Sequence, residues 1–149
     1  MTDVNKVFRC VIISPAGKLL DCRTISVVFT AHDGSVGVLY NHMPMLCKLG
    51  LGIMEITVAP QEDINHNNEN NHKKHVLIDG GFAMVILNLV NIIASDAICG
   101  WDINREKFEH LLEKSRKKLS LEAHTAQQKM HEIRKNKLLE KLFVTIEQK

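Results

Sequence analysis

The chain has 149 residues and a mass of 16.9 kDa, enough for one ordinary domain or one compact domain with a small appendage. Apolar residues make up 45% of it and charged residues 24%, which excludes a disordered chain and a coiled rod throughout. The formal charge of +2 is too small to predict a nucleic-acid partner, and no apolar stretch reaches the roughly 18 residues of a membrane-spanning helix.

In chain order, Met1 to Lys6 carry neither a basic-plus-apolar signal pattern nor an Arg/Ser-rich transit pattern, so a soluble intracellular protein is expected. Val7–Ser14 reads as a strand ended by Ser14-Pro15-Ala16-Gly17, because proline has no N–H to continue a ladder. Lys18–Asp21 is a second short run. Cys22–Ala31 follows with a period near two, placing Ile25, Val27 and Phe29 on one face. Asp33-Gly34 marks a tight turn, and Val36–Tyr40, Gly52–Ala59, His75–Asp79, Gly81–Leu87 and Leu89–Ala94 complete the series. Such spacing predicts an antiparallel sandwich or barrel, and no helical segments alternate with the strands as a parallel α/β sheet would require.

Between Pro60 and Lys74 lies an Asn-rich stretch expected to be a mobile hairpin loop outside any core. His66, His72 and His75 near it invite a metal reading, but ordering such a loop costs about 1–2 kcal/mol per residue, so no metal site is expected. Cys10, Cys22, Cys47 and Cys99 are separated by 12, 25 and 52 residues, which fits no zinc ribbon, and free thiols are expected.

After Gly100 the period changes. Asp102 is the expected N-cap of a helix on which Phe108, Leu111, Leu112, Ser115 and Leu119 form one narrow stripe. A weak break at Leu119–Ala123 precedes a second helix. On it, Ala123, Ala126, Met130 and Ile133 form one stripe, and Leu138, Leu139, Leu142 and Ile146 lie on a different side. The simplest account is a helical hairpin whose first part packs on its partner helix and whose tip faces something else. The expected architecture is therefore α+β, with a β domain over residues 1–100 and a helical arm over 101–149. Charge divides at the same place. Residues 1–100 carry seven Lys and Arg against nine Asp and Glu, net −2, and residues 101–149 carry twelve against eight, net +4. A basic arm suits contact with an acidic surface, although a lysine-rich face also serves simply to solvate a helix.

No nucleophile, metalloprotease or phosphate-loop pattern is present, so no catalytic residues are assigned.

Two stretches match something specific. Gly37-Val38-Leu39-Tyr40-Asn41-His42-Met43-Pro44, followed by Leu46, Leu49 and Gly50, resembles the G-x-L-x-x-H-x-P segment of the epsilon subunit of F-type ATP synthases. Gly80-Gly81-Phe82-Ala83-Met84-Val85, then Asn88, Val90 and Ile92-Ile93-Ala94, is similar to that subunit's second glycine-led pattern. The opening strand ending in Ser14-Pro15-x-Gly17 agrees too, in order and over nearly the whole chain.

The resemblance implies a β-sandwich of about ten strands followed by a two-helix hairpin. It further implies a non-catalytic rotor subunit bound to the gamma subunit and to the membrane ring of proton-carrying subunits, coupling proton transport to ATP synthesis. The arm would reach the beta and alpha subunits and regulate ATP hydrolysis. Tyr40, Asn41, His42 and Met43 become the expected ring contact, with the alternative that His42 hydrogen-bonds within its own turn beside Pro44. Lys129, Arg134, Lys135 and Lys137 become the expected contact with an acidic segment of the beta subunits.

Some members of that family bind ATP through an [I/L]-D-x-x-R-A stretch. Here the run is Ile103-Asn104-Arg105-Glu106-Lys107-Phe108, with Asn104 for the acid, Lys107 for the arginine and Phe108 for the alanine. Lysine lacks the planar fork that grips oxygens in pairs, so no ATP and no other cofactor is expected. A bacterial cytoplasmic membrane face, peripheral and without a spanning segment, is the expected location, with the plastid thylakoid as alternative. The competing function is a small β-sandwich binding module with a basic helical arm for a partner.

Overall fold

The computed structural model describes residues 6–60, 73–121 and 125–148. Six strands come first: β1 (Phe8–Ser14), β2 (Gly17–Ala31), β3 (Gly34–Val38), β4 (Met45–Val58), β5 (Lys73–Ile86) and β6 (Leu89–Cys99). A short 3-10 turn, Gly100–Asp102, leads to helices α1 (Arg105–Leu121) and α2 (Ala126–Glu147). The strands pair in the order β1-β6-β5-β4-β2-β3, and an additional β1–β2 ladder closes the first five into a ring. The β1–β6 ladder is parallel; the other pairings are antiparallel. The result is a flattened barrel, with β3 added to the outside of β2.

About ten strands were expected and the described residues form six, because long strands run through positions read as breaks. Lys18–Asp21 and Cys22–Ala31 are one strand, and so are His75–Asp79 and Gly81–Leu87. Gly80 (φ 73) and Gly81 (φ 118) kink β5 at the expected break between strands, yet β5 keeps one register with β4 and one with β6 on both sides of the kink. A side chain at Gly81 would overlap the Ile93 carbonyl oxygen, so only glycine fits there. β4 begins at Met45, seven residues before the predicted strand at Gly52.

The period-two reading of β2 fails at one residue. Cys22 and Thr24 are buried, then Val27, Phe29 and Ala31, so the inward parity switches from even to odd. The cause is a bulge against β4, where Thr24 pairs with Val58 and Ser26 with Thr57, leaving Ile25 as the extra residue. Ile25 is consequently only half-buried rather than on the core face. The buried Thr24 hydroxyl donates to the Thr57 carbonyl, and Ser26 and Thr57 bond through their hydroxyls at 2.9 Å.

Inside the ring, Ile12, Val27, Phe29, Met54, Ile56, Val76, Val90 and Ile92 form the main core, each at most 1% exposed. A second core lies on the outside, where Leu139 and Leu142 of α2 pack on Leu51, Leu77 and Ile103. Gly100 lies beneath this seam. A Cβ there would come 2.8 Å from the His75 carbonyl and 3.0 Å from Ile146 Cδ1, so its lack of a side chain lets α2 lie close.

The helix caps differ from expectation. Asp102 is taken up in the 3-10 turn, and Asn104 caps α1 by accepting from the Lys107 N–H at 2.8 Å. A reciprocal box of Thr125 and Gln128 starts α2, with side chain and backbone bonding in both directions. Phe108, Leu111, Leu112, Ser115 and Leu119 of α1 are all half-buried, as the stripe predicts. Leu138, Leu139, Leu142 and Ile146 also form the docked face of α2. The other α2 stripe departs from prediction. Met130 and Ile133 are 66% and 51% exposed and border an open trough beside the barrel instead of packing on α1. Ala123 and the break around it reach residues 122–124, outside the described residues, as do residues 61–72 with His66 and His72.

Candidate functional site

Three surfaces carry the residues with functional potential. The first is the end of the barrel formed by residues 39–44. The His42 N–H donates to the Leu39 carbonyl at 3.1 Å, closing a turn in which Asn41 takes a left-handed φ of 59. The β5–β6 hairpin turns through Leu87 (φ 48) and Asn88 (φ 60), the two-residue arrangement that matches strand twist. The two turns are pinned together. Asn88 Oδ1 accepts from the Asn41 backbone at 2.7 Å, and Asn88 Nδ2 donates to Asn41 Oδ1 at 3.1 Å. Tyr40 and Met43 are exposed, Met43 by 72%, and Leu87 beside them by 88%. His42 Nδ1 donates to the Met43 carbonyl at 2.8 Å, as the turn-fixing alternative anticipates. Tyr40, Asn41, His42 and Met43 thus share one turn, with His42 half-buried and the other three exposed.

The second surface was not predicted. Across the outward face of β4, β5, β6 and β1, Phe82 stands opposite Ile93 and Ile93 opposite Ile13, while Leu46 stands opposite Met84 in the adjoining row. All five are at least 39% exposed, Leu46 by 71% and Ile93 by 55%. The signal was present in β5, where Phe82, Met84 and Ile86 are apolar on the alternate positions that an exposed sheet face fills with polar residues. Arg9, Asp21 and Lys18 border this face, with Asp21 held 2.8 and 3.0 Å from the two cations and its carboxyl well below the ordinary range.

The third surface is the arm. Lys129, Arg134 and Lys137 are exposed. Lys135, grouped with them by sequence, instead turns to the barrel. Its ammonium lies 2.9 Å from Asp79 and 2.8 Å from Asp96, and His131 stands 3.0 Å from Asp79. Burial opposes the Lys135 charge, but the bonds to Asp96 and Asp79 outweigh it and raise its pKa. Burial also opposes ionisation of Asp79, and Lys135 and His131 outweigh that and lower its pKa. Between α2 and the β4–β5 face lies an open trough of about 780 Å³, with Lys48, Arg134 and Lys137 on its walls.

Three residues of the degenerate nucleotide motif have structural employment. Ile103 is buried in the second core, Asn104 caps α1, and Phe108 stacks on Phe143 with centroids 4.2 Å apart and planes 9° from parallel. Lys107 is exposed. His75 lies 3.4 Å from Glu55, and no group of metal ligands occurs among the described residues, which do not include His66 and His72. The four cysteines are free, and burial pushes the Cys99 thiol up to about 11. No described helix is long and apolar enough to cross a membrane.

Over residues 7–100 the chain matches the family described as the ATP synthase delta/epsilon chain, beta-sandwich domain. The chain belongs to that family. It is 33% identical over 97 residues to an ATP synthase epsilon chain of Lactobacillus delbrueckii, covering 65% of this chain and 62% of that relative, so the match stops short of two thirds of the relative's length. It is 30% identical over 95 residues to an ATP synthase epsilon chain of Rickettsia typhi, covering 64% and 79%. A chain in the cryo-EM structure of the Euglena gracilis mitochondrial ATP synthase has the same fold, with a TM-score of 0.60 at 21% identity, covering 94% of this chain and 81% of that one. The family match spans the barrel alone, which is where the two sequence motifs lie.

Proposed function

We propose that this chain is a non-catalytic rotor subunit of an F-type ATP synthase, joining the gamma subunit to the membrane ring and linking proton transport to ATP synthesis. The supporting observation is an exposed apolar row, Leu46, Phe82, Met84, Ile93 and Ile13, on a barrel of the delta/epsilon family. A protein that stayed alone in water would gain nothing from such a row; a protein seated against a shaft buries it. The gamma subunit occupies this face, and the turn of Tyr40, Asn41, His42 and Met43 meets the ring. A ring contact needs a stiff presentation, which the Asn41–Asn88 pair supplies. The division near Gly100 separates a β domain from a movable arm, whose Lys129, Arg134 and Lys137 face outward for an acidic segment of the beta subunits. Exposed pairs contribute about 0–1 kcal/mol each, so these cations act together or not at all.

The site is peripheral to the membrane, on the bacterial cytoplasmic face or the thylakoid. A tagged full chain expressed in its own cell and recovered from solubilised membranes should bring down alpha, beta and gamma subunits. Phe82→Asp combined with Ile93→Asp should abolish recovery of gamma while leaving the barrel folded by circular dichroism. Recovery of gamma undiminished by that pair sinks the assignment of this face. With Phe108 filling the arm junction and Asn104 engaged in a cap, calorimetry of the isolated chain should detect no micromolar ATP binding.

A further inference from the structure

Asp79 and Asp96 are directly opposed partners on β5 and β6. Two carboxylates in that relation repel, and a sheet gains nothing by placing them there unless a cation is supplied. That cation comes from α2. The Lys135 ammonium sits between both carboxylates at 2.9 and 2.8 Å with its side chain only 18% exposed, and His131 one turn earlier reaches the other oxygen of Asp79 at 3.0 Å. We propose that Asp79 and Asp96 form the acceptor of a charge latch that holds the helical arm against the barrel through Lys135, with His131 as a second partner of Asp79.

The geometry divides the work. The apolar seam around Leu139 and Leu142 gives adhesion but little direction. The latch, one to two turns towards the start of α2, fixes the helix along the barrel. Undocking leaves two carboxylates facing each other without a counter-ion, so release is opposed twice, by the lost ion pairs and by the repulsion uncovered.

Asp79 has its pKa lowered in the docked state, so its own contribution is present above the ordinary carboxylate range and is lost only as pH falls through and below that range. The other charges near the pair are His32 and Lys48 with Arg134 and Lys137 around the trough on the Asp79 side, and Lys114, Lys118 and Glu132 on the Asp96 side. Among these, Glu132 of α2 opposes the latch by facing Asp96, and Lys48 of β4 opposes it by facing the cations of α2; Glu132 bonds Ser115 of α1 at 2.9 Å.

The proposal rests on reading residues 101–149 as a movable arm. Hydrogen exchange of the isolated full chain tests it without any partner, so failure to bind gamma and failure of the latch are separate results. Lys135→Glu should speed exchange of the α2 amides by about tenfold or more while β5 and β6 amides keep their protection. Adding Asp96→Lys to it should restore α2 protection. Should Lys135→Glu disturb the barrel as well, Asp96→Asn, at a more exposed position, should still speed α2 exchange selectively. Unchanged α2 exchange in both single charge variants, or no restoration by the swap, overturns the latch.

Discussion

The barrel and the arm share one chain but are held in different ways. Each strand of the ring is tied to two neighbours by ladders of backbone bonds, and the interior is filled from all sides. Among the described residues the arm touches the barrel along a single apolar seam and one ion cluster, and α1 has no fully buried residue. Damage inside the ring should therefore be felt by the whole molecule, and damage at the seam by the arm alone.

The sharpest way to break that comparison is Phe29→Ala in the ring. Truncating a fully buried aromatic costs about 3–5 kcal/mol, and the urea midpoint of barrel and arm should fall together. Leu142→Ala, at the fully buried centre of the seam, carries a cost of about 2–5 kcal/mol. Here the loss should appear as faster proteolysis of α2, with the barrel's midpoint shifted much less. A cooperative drop of the whole molecule in Leu142→Ala would show that arm and barrel are one folding unit. Gly100→Ala sharpens the contrast at a smaller scale. Its new methyl forces Ile146 or the β5 backbone aside at about 1–3 kcal/mol, again loosening α2 first. Smallest is the acid response. Below the ordinary carboxylate range, protonation of Asp79 should free α2 before the barrel unfolds, seen as loss of helix exchange protection with retained strand protection.

Much of the architecture was legible in the sequence, and for identifiable reasons. The change of period at Gly100 separates strands from helices because the two periodicities arise from different side-chain directions. What was lost depended on neighbours that a linear reading does not contain. Ile25 was placed inward because a bulge is a property of two strands, and β2 alone does not reveal that Thr24 and Ser26 straddle an extra residue opposite β4. A break falls after Asp79 in the linear pattern, yet the ladders continue through it; the positive φ of Gly80 and Gly81 and the approach of Ile93 to Gly81 explain why side chains are missing there. Asn104 and the Thr125–Gln128 box were readable by cap rules, since a short polar side chain three residues before an N–H is the known signal, but Asp102 drew the attention first. At the candidate sites, the turn of Tyr40 to Met43 came through its motif. The row of Leu46, Phe82 and Ile93 did not, because it assembles from three strands. Lys135 was likewise indistinguishable from Lys129 and Lys137 until its partners, 56 and 39 residues earlier, came into contact.

The closed β1–β6–β5–β4–β2 ladder has a mechanical corollary. Sliding one strand along its neighbour requires breaking bonds on both of its sides, and no strand of the ring can shift without moving the rest. A shear load entering at the outer face beside Phe82 is thereby spread around the whole circumference and delivered to the far end with little give. Whatever elasticity this molecule shows under torsion must then reside where α2 meets the wall.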